Sequence, residues 1–125
     1  MMKFLVVDDV AIMRFVLVET LVRSCKASRD QIYEAEDGTK AIEQYKEVKP
    51  DIVFLDITMH DLDGLDVVKE IISINPLANI VMYTASTDEA DVAVCIQAGA
   101  KDCILKPANP ERVIEIVKNL MKSEN

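Results

Sequence analysis

Charged and polar side chains follow four short apolar runs in this sequence of 125 residues. A short apolar run between polar residues is typical of a buried strand. If the runs are parallel neighbours, the residues that follow them meet at the carboxyl edge of one sheet, where open α/β sheets bind their ligands. These residues are Asp8, Asp9, Asp56, Thr84 and Lys106. The sequence therefore predicts a crevice with three carboxylates, one hydroxyl and one ammonium group.

The carboxylates of this crevice predict a site for a hard cation. Crowded carboxylates repel one another, and a bound cation would offset that repulsion. Mg²⁺ commonly binds a few carboxylates together with waters and a phosphate, so it suits this set of oxygen ligands. Zinc is disfavoured, because no cysteine is near and the only histidine, His60, belongs to the loop after the third strand.

The lysine and the hydroxyl indicate a ligand with negative charge. Lys106 would pair with one phosphoryl oxygen, Thr84 would donate a hydrogen bond to another, and the cation would cover the third. Phosphoryl transfer needs this arrangement of charge around an in-line attack. Asp56 ends the presumed central strand and is the best candidate for the nucleophile, which would give an aspartyl phosphate.

The composition of the chain limits its class. Half of the residues are hydrophobic, which is typical of a globular chain, and the length predicts a single domain over residues 1–125. The net charge of −8 and the pI near 4.6 disfavour direct binding to nucleic acid, whose phosphates are also negative. No run is long enough to span a bilayer and no signal-peptide pattern opens the chain, so we expect a cytoplasmic protein without membrane contact.

The cysteines predict a packing role. Cys25, Cys95 and Cys103 each lie in an apolar context, and no two of them have the Cys-x-x-Cys spacing. We therefore expect buried thiols in a reducing compartment rather than disulfides or a metal site.

The elements that would hold the crevice alternate along the chain. We predict strands at residues 3–8, 31–35, 51–56, 79–84 and 102–105. Helical patterns occupy residues 11–25, 41–48, 65–74 and 89–98 and begin again at residue 110. Asp37-Gly38 and Asp63-Gly64 are predicted to form turns. This alternation implies right-handed βαβ units and an α/β fold with a doubly wound, five-stranded parallel sheet, with the polar second strand at an edge.

The first helix has few polar residues, and they do not cluster on one side. Phe15, Val18 or Val22 would then be exposed as an apolar docking patch beside the crevice, or the helix would simply be well buried. The sequence leaves both interpretations open.

Several short motifs occur in a fixed order. They are Val6-Val7-Asp8-Asp9 with Met13-Arg14, Asp56 with Asp63-Gly64, Thr84-Ala85, Gly99-Ala100-Lys101-Asp102, and Lys106-Pro107. In order and spacing this set resembles the receiver (response-regulator) domains of two-component signalling over nearly the whole chain, most of all the stand-alone chemotaxis regulators of the CheY type. The resemblance implies a flavodoxin-like (βα)5 fold with the strand order 2-1-3-4-5.

The resemblance also implies how the carboxylates act. Asp56 would accept a phosphoryl group from the phosphohistidine of a histidine kinase. The side chains of Asp9 and Asp56 and the backbone carbonyl of Thr58 would bind Mg²⁺, and Asp8 would act through water.

Further roles follow from the same resemblance. Thr84 and Lys106 would hold the phosphoryl group, and the Lys106-Pro107 peptide bond would be cis. Residues Thr58 and Ser86 match the positions that tune how fast the phosphate is hydrolysed.

The chain departs from the family pattern at three positions. His60 stands where proline is usual, and Ala108 stands where phenylalanine is common. Cys103 occupies the position of a tyrosine or phenylalanine that swings inward when Thr84 moves toward the phosphate. A small side chain has little to swing, so we expect Cys103 to pack in the core while switching runs through Thr84 and the loop after it. A redox role for Cys103 is the alternative.

The expected function is a phosphorylation-dependent switch that catalyses only its own phosphoryl transfer and is not an enzyme acting on a separate substrate. Its output would be the surface of the last two helices and the fifth strand, bound by a partner such as a flagellar motor switch or a kinase. We expect a monomer or a weak dimer.

Three other functions were weighed against this switch. A receiver domain cut from a longer regulator is the main alternative. A Mg²⁺-dependent phosphatase is disfavoured, because Thr58 stands where such enzymes place a second aspartate. A flavin-binding domain is disfavoured because no Ser/Thr/Gly-rich phosphate loop follows Val7.

Overall fold

The structure, a computed structural model, describes residues 2–57, 59, 61–85, 89–107 and 109–123. Strands and helices alternate along these residues, with one 3-10 turn at Arg29–Gln31 before the second strand. The strands are β1 Phe4–Val7, β2 Ile32–Ala35, β3 Ile52–Leu55, β4 Ile80–Thr84 and β5 Asp102–Leu105. The helices are α1 Ala11–Ser24, α2 Gly38–Val48, α3 Gly64–Ile74, α4 Glu89–Ala98 and α5 Pro110–Ser123. In the described part of the chain, none of these helices combines the length and the apolar character that crossing a bilayer requires.

The five strands form one parallel sheet in the order β2-β1-β3-β4-β5, which confirms the predicted topology. β2 is an edge strand, as its polar sequence predicted; Ala35 is buried, but the other three residues are exposed or only partly buried. β5 has the predicted bounds and the other four strands are shorter than predicted, with β1 and β3 ending one residue before Asp8 and Asp56. Those two residues still donate backbone hydrogen bonds to neighbouring strands, Asp8 to Ala35 at 3.2 Å and Asp56 to Val7 at 3.1 Å. Both aspartates are therefore held in register with the sheet.

Helices cover both faces of the sheet. Alternate strand residues face opposite sides, so Leu5 and Leu55 pack with α2, α3 and α4, while Phe4 and Phe54 pack with α1 and α5. All four side chains are buried to at least 97%. Burial on both faces explains why the central strands are continuous apolar runs rather than alternating ones.

Helix α1 is buried on one side and exposes apolar residues on the other. Val18 is buried with Leu21 against the sheet, and Val22 packs partly against the same cluster. Phe15 is 57% exposed and Ile12 is 62% exposed on the opposite side. The exposure predicted for Phe15 is confirmed, whereas that for Val18 is wrong, because helical spacing turns Val18 toward the sheet.

The Asp-Gly pairs predicted as turns are helix starts. Gly38 and Gly64 are the first residues of α2 and α3, and Asp37 and Asp63 precede them as N-caps. Each aspartate side chain accepts a hydrogen bond from the amide three residues further on, at 2.8 Å for Asp37 and 3.0 Å for Asp63. Aspartate is favoured in turns and at N-caps for the same reason, since its short side chain binds nearby amides.

Gly64 brings the start of α3 against the backbone of the phosphoacceptor candidate. Its amide donates to the carbonyl of Ile57 at 2.5 Å. A Cβ at this position would lie 2.6 Å from the carbonyl oxygen of Asp56 and 2.6 Å from the Cα of Ile57. Only a residue without a side chain permits this approach.

We predict that Gly64→Ala lowers the free energy of unfolding by about 1–3 kcal/mol, because α3 must move away from β3. Urea unfolding followed by circular dichroism measures the change. Glu70→Ala, at an exposed position of the same helix, is the control and should leave the midpoint nearly unchanged. Equal midpoints for the two variants would show that the contact at Gly64 is not tight.

Candidate functional site

The carboxyl edge of the sheet brings Asp8, Asp56 and Lys106 into contact. The ammonium of Lys106 donates a hydrogen bond to Asp8 and a second one, of 3.1 Å, to Oδ2 of Asp56. The Asp8 side chain is fully buried, and those of Lys106 and Asp56 are 8% and 10% exposed. The residues that directly follow β1, β3 and β5 thus form one ion cluster, in which Lys106 is 98 positions from Asp8 and 50 from Asp56.

The backbone of Lys106 is also held in place. Its backbone amide donates to the carbonyl of Thr84 at 2.9 Å, and its peptide bond to Pro107 is cis, as the resemblance implied. Its ammonium lies 5.3 Å from the ring centre of Tyr83 on β4. The lysine is thereby aimed across the end of β4 toward the carboxylates.

The backbone around Asp8 is held by a residue for which the sequence gave no role. Arg14 on α1 donates from Nη1 to the carbonyl oxygen of Asp8 at 2.7 Å and from Nε to Oε1 of Glu34 at 3.2 Å. Oδ1 of Asp8 accepts from the amide of Val10 at 2.9 Å. Arg14 is the fourth residue of α1, and no local pattern in the sequence indicates that its partner is the carbonyl of Asp8.

The carboxylates are arranged to bind a cation. Asp8, Asp9 and Asp56 each offer an oxygen within 4.8 Å of the others. With Lys106 they give the site a net charge of −2, and the ligand atoms found among the described residues are all oxygens. This donor set fits a hard divalent ion such as Mg²⁺. Thr58, the further ligand implied by the resemblance, lies outside the described residues.

A cleft of about 590 Å³ opens at the same place. Asp56 and Lys106 line it together with Thr84, which is only 2% exposed at the end of β4. Its other walls come from Val10, Met13, Ala85 and Pro107. The cleft gives a ligand access to the carboxylate of Asp56, beside the ammonium of Lys106 and the hydroxyl of Thr84.

Electrostatics keep Lys106 charged. Burial acts to lower the pKa of its ammonium, but the hydrogen bonds and charges of Asp8 and Asp56 outweigh burial, so the pKa is raised above its ordinary value of 10.5. A raised pKa means that the stabilisation is complete below pH 10.5 and is lost as the pH rises through the pKa of the folded state. The cluster is therefore intact at neutral pH.

We predict that Lys106→Met lowers the free energy of unfolding by about 2 kcal/mol in the absence of Mg²⁺, because two nearly buried carboxylates lose their counter-charge. Added MgCl₂ should recover more stability in the variant than in the wild type, since the ion no longer competes with an ammonium. Urea unfolding with and without MgCl₂ measures both effects.

The exposed Lys101 supplies a matched control for this prediction. Lys101→Met should change stability little and should leave the response to MgCl₂ as it is in the wild type. Equal losses at the two positions would contradict a special role for the Lys106 ammonium.

Cys103 packs as the sequence predicted. It is half-buried on β5 opposite Met82 and lies against the same core cluster as the buried Cys95. Burial raises the pKa of the Cys103 thiol, and the charge of Asp102 raises it further. Burial likewise raises the pKa values of Cys25 and Cys95. The part of Cys103 in switching stays a prediction.

A raised thiol pKa leaves little reactive thiolate at neutral pH. We predict that iodoacetamide at pH 7.5 modifies all three cysteines much more slowly in the folded protein than in urea, with rates that rise toward alkaline pH. Peptide mass spectrometry measures the rate at each cysteine. Rapid modification of Cys103 in the folded protein would favour the redox alternative.

Two acidic residues of the loop after β3 accept hydrogen bonds from helix starts. Asp63 caps α3, and Asp61 binds the start of α2. The hydroxyl of Thr39 lowers the pKa of Asp61 most, followed by the amides of Gly38 and Thr39. His60, Ser86 and Ala108, which the sequence also singled out, lie outside the described residues.

The sequence matches the family described as response regulator receiver domain over residues 4–118. The chain belongs to this family, which confirms the resemblance carried by the motifs.

Several relatives of nearly the same length are named chemotaxis proteins. The chain is 44% identical to the chemotaxis protein CheY of Thermotoga maritima, over 96% of this chain and 98% of that protein. It is 41% identical to CheY of Bacillus subtilis, over 95% and 97% of the two chains. Among solved structures it is similar to the Vibrio cholerae chemotaxis protein CheY4, with a TM-score of 0.82, 26% identity and coverage of 96% and 98%. The protein is thus a receiver domain of the CheY type.

Proposed function

We propose that the protein is a phosphorylation-activated response regulator in which Asp56 receives a phosphoryl group from a histidine kinase, and that its signal serves chemotaxis. The observation that carries this proposal is the contact of the Lys106 ammonium with Asp56 at 3.1 Å, in a cleft that Thr84 also lines. Membership of the receiver family and the names of the full-length relatives support it.

The reaction transfers a phosphoryl group from nitrogen to oxygen. A carboxylate oxygen of Asp56 attacks phosphorus, the P–N bond of the phosphohistidine breaks, and the imidazole leaves with its electron pair and takes up a proton. Lys106 would pair with the transferred oxygens, and Thr84, which lines the same cleft, would donate to one of them. A charged donor fixed in advance stabilises the transition state without reorganisation cost at the moment of reaction.

The residues that would hold Mg²⁺ are Asp9, Asp56 and the backbone carbonyl of Thr58. When bound, the ion supplies positive charge to the oxygens of the phosphoryl group. Asp8 would act through water, since its two oxygens already accept hydrogen bonds from the amide of Val10 and the ammonium of Lys106. This occupancy supports an indirect role for Asp8.

The output is a change in the surface of α4, β5 and α5. Thr84 ends β4 beside this surface, and Lys106 follows β5 directly. Exposed apolar side chains already lie there, among them Val94, which is 44% exposed, and Leu105, which is 55% exposed. A partner protein in the cytoplasm, such as the flagellar motor switch, would bind the phosphorylated form. The protein catalyses only its own phosphoryl transfer and acts on no separate substrate.

Intact-mass measurement after incubation with acetyl phosphate tests the proposal. We expect a single phosphoryl adduct on the wild type that requires Mg²⁺ and is absent from Asp56→Asn, because the amide is not a nucleophile for phosphorus. Asp63→Asn is the matched control: it changes another aspartate of the same loop, keeps an oxygen that can cap α3, and should still form the adduct. An adduct on Asp56→Asn, or none on the wild type, would refute the assignment.

A further inference from the structure

The loop after β3 is joined to α2 by one side chain. Asp61 accepts hydrogen bonds from the amide of Gly38 at 2.9 Å, from the amide of Thr39 at 2.9 Å and from the hydroxyl of Thr39 at 2.7 Å. The partners lie 22 and 23 positions apart in the sequence. We call these three hydrogen bonds the Asp61 anchor.

The anchor completes the capping of α2. The first four amides of a helix have no partner within the helix. Here Asp61 accepts from the first two, while the side chain and carbonyl of Asp37 accept from Lys40 at 2.8 Å and Ala41 at 3.0 Å. Helix α2 therefore has its own cap at Asp37 and receives a second one from the loop.

The anchor is one of several contacts made by the described residues between Asp56 and α3. The carbonyl of Ile57 accepts from Gly64, Ile57 and Met59 are each 9% exposed, and Asp63 caps α3. Asp61 itself is exposed, so its hydrogen bonds, together with the packing of Leu62 against the core, hold this part of the loop.

Close packing makes the anchor stiff. A Cβ on Gly38 would lie 2.8 Å from Cβ of Leu62 and 2.9 Å from Cγ2 of Val67. The start of α2 and the loop therefore touch without intervening space, and a displacement of one is passed to the other.

We propose that Asp61 is a positioning residue of the phosphorylation site, which holds the segment after Asp56 in the conformation that binds Mg²⁺. The inference rests on the magnesium site of the proposed function. It differs from a role in stability alone, because the hydrogen bonds of Asp61 join two segments, whereas those found for Asp37 among the described residues lie within the start of α2. Residues that orient metal ligands from outside the coordination shell typically change metal affinity by 10–100-fold when they are lost.

The test compares Asp61→Ala with Asp37→Ala in a titration with MgCl₂, followed by the chemical shifts of backbone amides. Both variants lose a cap of α2, so both should unfold at lower urea concentration than the wild type. Only Asp61→Ala should bind Mg²⁺ more weakly, by about tenfold. Thr39→Val, which removes the hydroxyl donor at nearly constant volume, should weaken binding by a smaller factor, and Asp61→Asn, which keeps one acceptor oxygen, should recover part of the loss.

Equal affinities for Asp61→Ala and the wild type, or equal losses in Asp61→Ala and Asp37→Ala, would overturn the positioning role. Wild-type protein that binds no Mg²⁺ would overturn it together with the magnesium site. Phosphorylation from acetyl phosphate is measured on the same samples, because it tests the proposed function separately. Weaker Mg²⁺ binding in Asp61→Ala would support the positioning role even if the wild type formed no adduct.

Discussion

The pairing of one ammonium with two carboxylates at the end of the sheet is the interaction on which the site depends. Lys106 neutralises part of a charge cluster whose members are almost completely removed from water. Burying carboxylates at this proximity is unfavourable unless opposite charge and hydrogen bonds compensate. The lysine provides that compensation while Asp56 carries no phosphoryl group, and the same ammonium lies within reach of the oxygens that Asp56 would acquire. The Lys106 ammonium would therefore interact with Asp56 both before and after phosphorylation.

The sheet and its helices hold the residues of this ion cluster in place. A parallel sheet places all its carboxyl ends on one edge, and helices on both faces allow the central strands β1 and β3 to be fully apolar up to that edge. Polarity then begins abruptly at Asp8 and Asp56, where backbone hydrogen bonds to neighbouring strands still hold the chain. Gly64 and the Asp61 anchor add support from the side of α3 and α2. Asp56, the proposed phosphoacceptor, is thereby held by backbone contacts on several sides.

Much of this arrangement could be predicted from the sequence, because it follows from local patterns. The apolar runs predicted the strands, their alternation with helices predicted a parallel sheet, and the residues after the runs predicted which side chains meet. What escaped prediction depends on contacts between distant segments. Nothing near Asp61 indicates that its partners are Gly38 and Thr39, and nothing near Arg14 indicates the carbonyl of Asp8. The Asp-Gly pairs were misassigned because a turn and an N-cap use the same short side chain for the same kind of hydrogen bond.

The sequence separation within the ion cluster has a consequence for how the protein is made. Its members are 50 and 98 positions apart, and β4 stands between the strands that carry Asp56 and Lys106. During synthesis Asp8 and Asp56 emerge first, and the lysine joins them only when β5 closes the edge of the sheet. The ion cluster of the proposed phosphorylation site is therefore complete only when β5 has joined the sheet.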